Sequence, residues 1–256
     1  MSERRVEVLR YEEGKSWVQE DEIASEEPLK LTVVHGETSR SIYIMRTPGD
    51  DDFLVLGFLF TQGAIRGIDD IELMQLHDNS VKVKVRSPFQ LRDTMVNSSC
   101  GVCGSSSIPF VQFRQDETLK VRSSVLMDLP RKMRSFQRTF LETGGMHASC
   151  VFDVNGNPLF IAEDVGRHNA VDKVIGKLLK AGKDAHDLIL QVSGRVGYEI
   201  IQKAAMIGFP VVSAISAPTS SAVELSHIAG ISLVGFVREG RLNVYSHPER
   251  IVFDLN

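Results

Sequence analysis

Short apolar strands alternate with amphipathic helices through the second half of this sequence, and that alternation limits the folds open to it. Strands are predicted at residues 188–192, 211–215 and 231–236. Apolar residues recur at helical spacing before and between them, near residues 171–178, 200–206 and 222–228. Strands separated by helices form largely parallel sheets that helices cover on both faces. We therefore predict an α/β fold with a mostly parallel C-terminal sheet and helices on both of its faces.

The first half of the chain is predicted to be rich in β-structure. Residues 29–34 and 41–46 are typical of two strands around the turn-forming His35-Gly36. The segment that follows begins a helix, with Thr47 suited to the N-cap and Pro48 to the first helical position. A second hairpin follows, because its valines alternate with lysines as in a half-buried strand.

These patterns divide the chain into three parts. Residues 27–125 form a β-rich lobe and residues 126–256 form the α/β lobe. Residues 1–26 are rich in Glu and Arg without a sustained apolar period, so we predict a weakly ordered arm with at most one strand, at residues 5–10.

Charge and hydropathy exclude several classes of partner. The net charge of -4 provides no sequence-wide basic field for nucleic acid. No window is apolar enough for a signal peptide or a bilayer span, so we expect a cytoplasmic protein without membrane insertion. A reducing compartment would keep its three cysteines as thiols.

Two of these cysteines form the motif Cys100-Gly-Val-Cys103 within a run of serines and glycines. Such a pair can be half of a zinc site, a redox dithiol or a sulfur carrier that forms a persulfide. No second CxxC completes a zinc site, and Pro109 disfavours the helix that a redox motif needs directly after it. Small flanking residues suit a carrier, and we predict that residues 97–107 are mobile. We expect no metal there, although the zinc interpretation stays open.

Histidines, arginines and hydroxyl residues follow several predicted strands or begin predicted helices. His147 follows a Gly-Gly pair, while Arg167 and His168 open a helix; an imidazole can exchange protons near neutral pH and a guanidinium can bind phosphate. Ligands of parallel sheets collect where strands end and helices begin. The residues in these positions are Ser193, Arg195, Ser216, Thr219 and Ser220. Ser216, Thr219 and Ser220 are equally well explained as helix N-caps.

The residues resemble the family of formate dehydrogenase accessory sulfurtransferases, the FdhD type. The likeness covers all but about the first 26 residues. It is carried by the motifs Arg46-Thr-Pro-Gly-Asp-Asp, Ser99-Cys-Gly-Val-Cys-Gly104, Thr143-Gly-Gly-Met-His147, Glu163-Asp-Val-Gly-Arg-His-Asn-Ala170, Ser193-Gly-Arg195, Ser216-Ala-Pro-Thr-Ser220 and Gly235-Phe-Val-Arg-Glu-Gly-Arg241.

The resemblance implies a sulfurtransferase with a cysteine persulfide intermediate. Cys100 would take sulfur from a cysteine desulfurase, with Cys103 as its partner, and Cys150 has no assigned role. The sulfur would pass to the molybdenum bis(molybdopterin guanine dinucleotide) cofactor before formate dehydrogenase receives it. The resemblance also implies a homodimer and a cytidine deaminase-like larger lobe, although the deaminase metal motif is not in this sequence. The alternative function is a zinc-stabilised protein that escorts the cofactor without chemistry.

The resemblance places the cofactor on the segment Phe236, Val237, Arg238, Glu239, Gly240 and Arg241. The arginines can donate to a pyrophosphate, and either Glu239 or Asp164 can accept from the guanine edge. Guanine nucleotides would then bind as fragments of the true ligand. The competing interpretation is a plain hairpin with Glu239-Gly240 at its turn and solvated arginines.

Overall fold

The computed structural model describes residues 2–91 and 119–254 of the chain. The elements of the first range are β1 (Glu3–Glu12), β2 (Lys15–Ala24), β3 (Glu27–His35), β4 (Thr38–Arg46), α1 (Asp51–Thr61), β5 (Ile71–His77) and β6 (Ser80–Val85). Those of the second range are β7 (Val121–Arg122), α2 (Ser123–Arg134), α3 (Arg138–Thr143), β8 (His147–Asp153), β9 (Pro158–Asp164), α4 (Arg167–Lys180), β10 (Leu188–Val192), α5 (Tyr198–Ile207), β11 (Val211–Ala214), α6 (Ser220–Ala229), β12 (Ser232–Arg238), β13 (Arg241–Val244) and β14 (Ile251–Val252). The predicted mixed α/β class is confirmed.

The N-terminal segment is a long hairpin, so the prediction of a weakly ordered arm over residues 1–26 is wrong. Strands β1 and β2 pair antiparallel along their whole length, from Glu3 opposite Ala24 to Glu12 opposite Lys15. Their turn holds two residues with positive φ, Glu13 at 50° and Gly14 at 81°, which matches the twist of a two-residue hairpin. Backbone pairing along the two strands forms the hairpin without the apolar period that the sequence lacks, and one ion pair crosses it, from Arg5 to Glu22 at 3.2 Å.

A four-stranded sheet in the order β4-β3-β6-β5 packs one face against α1. The helix begins at Asp51, four residues after the predicted N-cap at Thr47. Gly49 and Asp50 have φ of 109° and 57°, which turns the chain before the helix begins. The Thr47 hydroxyl instead accepts a hydrogen bond from the backbone N–H of Val165, 3.2 Å away. A contact between the two halves of the chain thus takes the place of the helix cap.

The second half contains a six-stranded sheet in the order β13-β12-β11-β10-β8-β9. Only β10 with β11 and β11 with β12 are parallel, so the prediction of a mostly parallel sheet is wrong. The hairpins β8–β9 and β12–β13 pair antiparallel, as does β8 with β10. Hairpin strands are joined by short turns, and a parallel pair needs a long crossover. The predicted strand–helix alternation holds for the central strands alone.

Helices lie on both faces of this sheet. Alternate residues of β8 point to opposite faces, where Val151 joins the core under α4, α5 and α6, and Phe152 joins the core under α2. Cys150 lies on the α2 face. The likeness of this lobe to cytidine deaminases stays a prediction.

Helices α1 and α4 join the two halves at a contact between glycines and backbone. A methyl group at Gly57 would overlap the carbonyl oxygen of Asp172, and one at Gly176 would overlap that of Phe53. Close to this contact, the Lys203 ammonium lies 2.8 Å from both carboxylate oxygens of Asp172. The halves are therefore packed as tightly as the interior of one core.

Candidate functional site

Several of the predicted site residues meet at one edge of the six-stranded sheet. Parallel strands β10 and β11 end there, and antiparallel β8 begins there at His147. Ser193, directly after β10, donates its backbone N–H to the carbonyl of Ala148 at 3.0 Å. The loops that follow β10 and β11 run side by side, because Thr219 donates its N–H to the Val196 carbonyl at 2.9 Å. Helices α4, α5 and α6 all begin near this edge.

His147 and Ser193 form a hydrogen-bonded pair at the centre of the edge. The Ser193 hydroxyl accepts from the Ala148 N–H at 2.9 Å and lies 3.3 Å from Nδ1 of His147. Burial lowers the pKa of His147 below its usual value, and the Arg167 guanidinium lowers it further. The ring is therefore neutral at pH 7.

Arg167 and His168 lie beside this pair at the start of α4. A methyl group at Gly194 would lie 3.1 Å from Nδ1 of His147 and 3.5 Å from Cβ of Arg167. The absence of a side chain at Gly194 therefore lets both residues pack against the loop after β10. His168 is 8% exposed, and its Nε2 lies 3.8 Å from a Glu199 carboxylate oxygen. Burial lowers the pKa of His168 to about 3, and the nearby Lys203, Arg167 and His147 lower it in the same direction.

A cleft of about 470 Å³ opens at His147 and Ser193. Its remaining lining residues are Arg134, Gln137, Phe140, Gly144, Gly145, Met146, Val165 and Ile215. No motif in the sequence indicates that Arg134, Gln137 and Phe140 belong to the site. The Arg134 guanidinium stacks over the Phe140 ring at 4.5 Å. This pairing of side chains from α2 and α3 depends on the turn between the two helices, for which the sequence gives no functional signal.

The hydroxyl residues after β11 have different roles in the structure. The Thr219 hydroxyl accepts from the Ala222 N–H at 3.3 Å, so it caps α6 as the alternative interpretation held. Ser220 is the first residue of α6, and the Ser216 carbonyl accepts from the Phe236 N–H at 3.2 Å. Arg195 is exposed in the loop after β10.

The predicted cofactor segment forms the β12–β13 hairpin. Arg238 pairs with Arg241 across a two-residue turn, in which Gly240 has a φ of 73°. Phe236 lies in a bulge with a φ of 52°, a strained value for a side chain of its size. Val237 is buried, while the four residues from Arg238 to Arg241 are exposed. The structure brings Phe236 to Ser216 and leaves the two arginines at the exposed tip.

Asp164 does not lie where it could read a guanine base, so that assignment is wrong. The side chain is fully buried, and one carboxylate oxygen accepts from Gly166 N–H at 2.8 Å and Asn169 at 2.9 Å. The other oxygen pairs with the Lys173 ammonium at 2.8 Å. Every acceptor position is used to hold the start of α4 in place, which leaves Glu239 as the carboxylate that is open to a ligand.

Cys150 is the one cysteine within the described residues, and it is fully buried. Burial raises the pKa of its thiol to about 12, so it carries no thiolate near neutral pH. Cys100 and Cys103, with the predicted mobile segment 97–107, lie outside the described residues.

The described residues contain neither a metal-binding cluster nor a membrane-spanning helix. Within residues 2–91 and 119–254, no group of three or more His, Cys, Asp or Glu is arranged to hold a metal ion. Among the same residues, no helix is long and apolar enough to cross a membrane.

Comparison with known proteins gives consistent matches over nearly the whole chain. A model of the FdhD/NarQ family matches residues 24–252. The sulfur carrier protein FdhD of Saccharolobus solfataricus is 44% identical over 252 residues, which cover 97% of this chain and 98% of that protein. The protein of the same name from Thermoplasma acidophilum is 45% identical over 91% of this chain and 87% of its own length. The crystal structure of a candidate formate dehydrogenase accessory protein from Desulfotalea psychrophila shares the fold, with a TM-score of 0.78, 22% identity, and coverage of 98% of this chain and 100% of that one.

Proposed function

The chain belongs to the FdhD/NarQ family, and from that premise we propose that it is a sulfurtransferase that carries sulfur on Cys100 for formate dehydrogenase. Relatives that cover nearly all of the chain are named sulfur carrier proteins. A carrier of this kind needs a thiolate that a donor persulfide can reach.

The state of Cys150 is the observation that supports the proposal most directly. With no exposed surface and a pKa of about 12, this thiol can neither meet a donor protein nor attack its sulfur. The chain has three cysteines. The burial of Cys150 supports assigning the proposed sulfur chemistry to the other two cysteines, Cys100 and Cys103.

The loading step is a displacement between sulfur atoms. The Cys100 thiolate attacks the outer sulfur of a persulfide on a cysteine desulfurase, and the desulfurase thiolate leaves as the old S–S bond breaks. In the delivery step the Cys103 thiolate attacks the inner sulfur of the Cys100 persulfide. The outer sulfur then leaves as hydrosulfide and a Cys100–Cys103 disulfide remains, which an external thiol must reduce before the next cycle. Neither displacement requires a metal ion.

The sulfur acceptor we propose is the molybdenum bis(molybdopterin guanine dinucleotide) cofactor, bound as a substrate at the sheet edge. Such a ligand carries pyrophosphate groups, which bind backbone N–H groups at helix starts and bidentate arginines. Three helices begin at this edge, with Arg167 and Arg195 next to two of those starts. Arg238 and Arg241 add cations on the β12–β13 hairpin. We expect the protein to act as a cytoplasmic homodimer.

Intact-mass analysis tests the sulfur-carrier proposal. After incubation with a cysteine desulfurase and cysteine, the protein should gain the mass of one or more sulfur atoms, which a thiol reductant removes. Cys100→Ala should lose this adduct, and Cys150→Ala is the matched control that should keep it.

Two results would count against this assignment. An adduct that survives in Cys100→Ala and disappears only in Cys103→Ala would move the primary nucleophile to Cys103. Stoichiometric zinc in the purified protein, lost when both Cys100 and Cys103 are changed to Ser and accompanied by no sulfur adduct in the wild type, would replace the carrier with a zinc-stabilised escort.

A further inference from the structure

The hydrogen bonds around Ser193 determine where its hydroxyl proton can point. Its oxygen already accepts from the Ala148 N–H at 2.9 Å, and its backbone N–H is used by the Ala148 carbonyl at 3.0 Å. The remaining partner of the hydroxyl is Nδ1 of His147, at 3.3 Å. A hydroxyl group can donate one hydrogen bond while accepting another. Donation from Ser193 to Nδ1 is the arrangement that gives the hydroxyl proton an acceptor among the described residues.

This donation fixes the tautomer of the imidazole. In a neutral ring one nitrogen accepts and the other carries the proton. With Nδ1 accepting from Ser193, the proton lies on Nε2. Burial and the neighbouring Arg167, against a smaller opposing effect of Asp164, lower the pKa of His147 and keep the ring neutral. Within residues 2–91 and 119–254, Nε2 of His147 makes no hydrogen bond.

The lining of the cleft at His147 favours an anion. Its charged lining residue is Arg134, held by stacking on Phe140, and Gln137 adds an amide. No Asp or Glu is among the described lining residues. A neutral N–H donor beside a cation and apolar walls binds an anionic acceptor without the desolvation cost of a second buried charge.

We propose that Ser193 fixes His147 as the Nε2–H tautomer and that this N–H donates a hydrogen bond to an anionic acceptor atom, a phosphate oxygen or a sulfur, in the cleft. Ser193 is a positioning residue, because it acts through His147. The identity of the ligand rests on the proposed function, whereas the tautomer and the anion site do not.

Long-range 1H–15N correlation spectra of the histidine rings test the tautomer at pH 7. We expect the pattern of a protonated Nε2 and an unprotonated Nδ1 for His147, assigned by its absence in His147→Gln. Ser193→Ala should move the signals toward a tautomer mixture, and Ser193→Thr, which keeps a hydroxyl, should restore them. The exposed ring of His186 is the internal control and should not change. A proton on Nδ1, a charged ring, or identical spectra of wild type and Ser193→Ala would overturn the proposal.

The anion site is tested by titration of the Cys100→Ala variant, so that the result does not depend on sulfur loading. Inorganic pyrophosphate and hydrosulfide are the probes. A saturable shift of the His147 Nε2 signal with pyrophosphate assigns the acceptor as a phosphate oxygen, and one with hydrosulfide assigns it as a sulfur. If neither probe moves the signal, the anion site is rejected. The sulfur-carrier proposal would survive that outcome, because it is tested by the Cys100 adduct.

Discussion

His168 should make the protein lose stability in mild acid. Its ring is 8% exposed and lies among three other basic side chains, and its pKa falls from 6.5 to about 3. In the unfolded chain the ring regains its ordinary pKa. Between pH 6.5 and about 3 the unfolded state therefore binds a proton that the folded state does not, and the free energy of unfolding decreases as the pH falls.

The magnitude follows from the distance between the assay pH and the ordinary pKa. At pH 5 the unfolded histidine is about 1.5 units below its pKa, and each unit is worth about 1.4 kcal/mol, which gives a loss of about 2 kcal/mol relative to pH 7. Protonation of His168 in the folded state adds little stability, because the Glu199 carboxylate is 3.8 Å away while Lys203 and Arg167 oppose the charge.

Urea unfolding of wild type and His168→Gln at pH 7 and pH 5 measures this loss. The variant removes the titrating group, so its decrease between the two pH values should be smaller than that of the wild type by about 2 kcal/mol. The contributions of the carboxylates and of His147 are common to both proteins and cancel. His186→Gln, at a ring whose side chain is 62% exposed, should keep the full wild-type decrease. Equal decreases in wild type and His168→Gln would refute the reasoning.

Two further predictions concern the helix contact and the cofactor segment. Gly57→Ala forces a methyl group into the Asp172 backbone and should lower the free energy of unfolding by about 1–3 kcal/mol. Gly67→Ala, which has open space around its Cβ position, should lower it far less. Equal losses of the two variants in urea unfolding would contradict the close contact. Guanosine diphosphate should bind more tightly than adenosine diphosphate in calorimetric titration, and the Arg238→Ala, Arg241→Ala double variant should weaken it while Arg66→Ala does not. Equal affinity for the two nucleotides, or unchanged binding in the double variant, would reject the segment as the guanine site.

The sequence predicted elements where apolar periodicity was strong. The three central strands of the large sheet and helices α4, α5 and α6 fall close to the predicted positions. The N-terminal hairpin was missed because its strands alternate charged residues with few apolar ones, so that cross-strand pairing and not burial holds it. The antiparallel pairing of β8 with β10 was not predicted, since periodicity identifies a strand but carries no information on its neighbour.

For the candidate site, motifs identified the residues but not their roles. His147 and Ser193 are 46 positions apart, and only the pairing of β8 with β10 brings them together. Asp164 has the chemistry of a guanine reader, yet its position beside Lys173 and Asn169 commits it to structure. The type of a residue shows which interactions its side chain can make, whereas the tertiary fold determines which partner it binds.

The contact between α1 and α4 limits how the protein can change over time. At most packed positions a larger side chain can be accommodated by a smaller one opposite. Gly57 and Gly176 each face a backbone carbonyl of the other helix, and a backbone offers no side chain to shorten. A smaller side chain opposite cannot relieve either overlap, so we expect both glycines to stay fixed while the residues around this contact change.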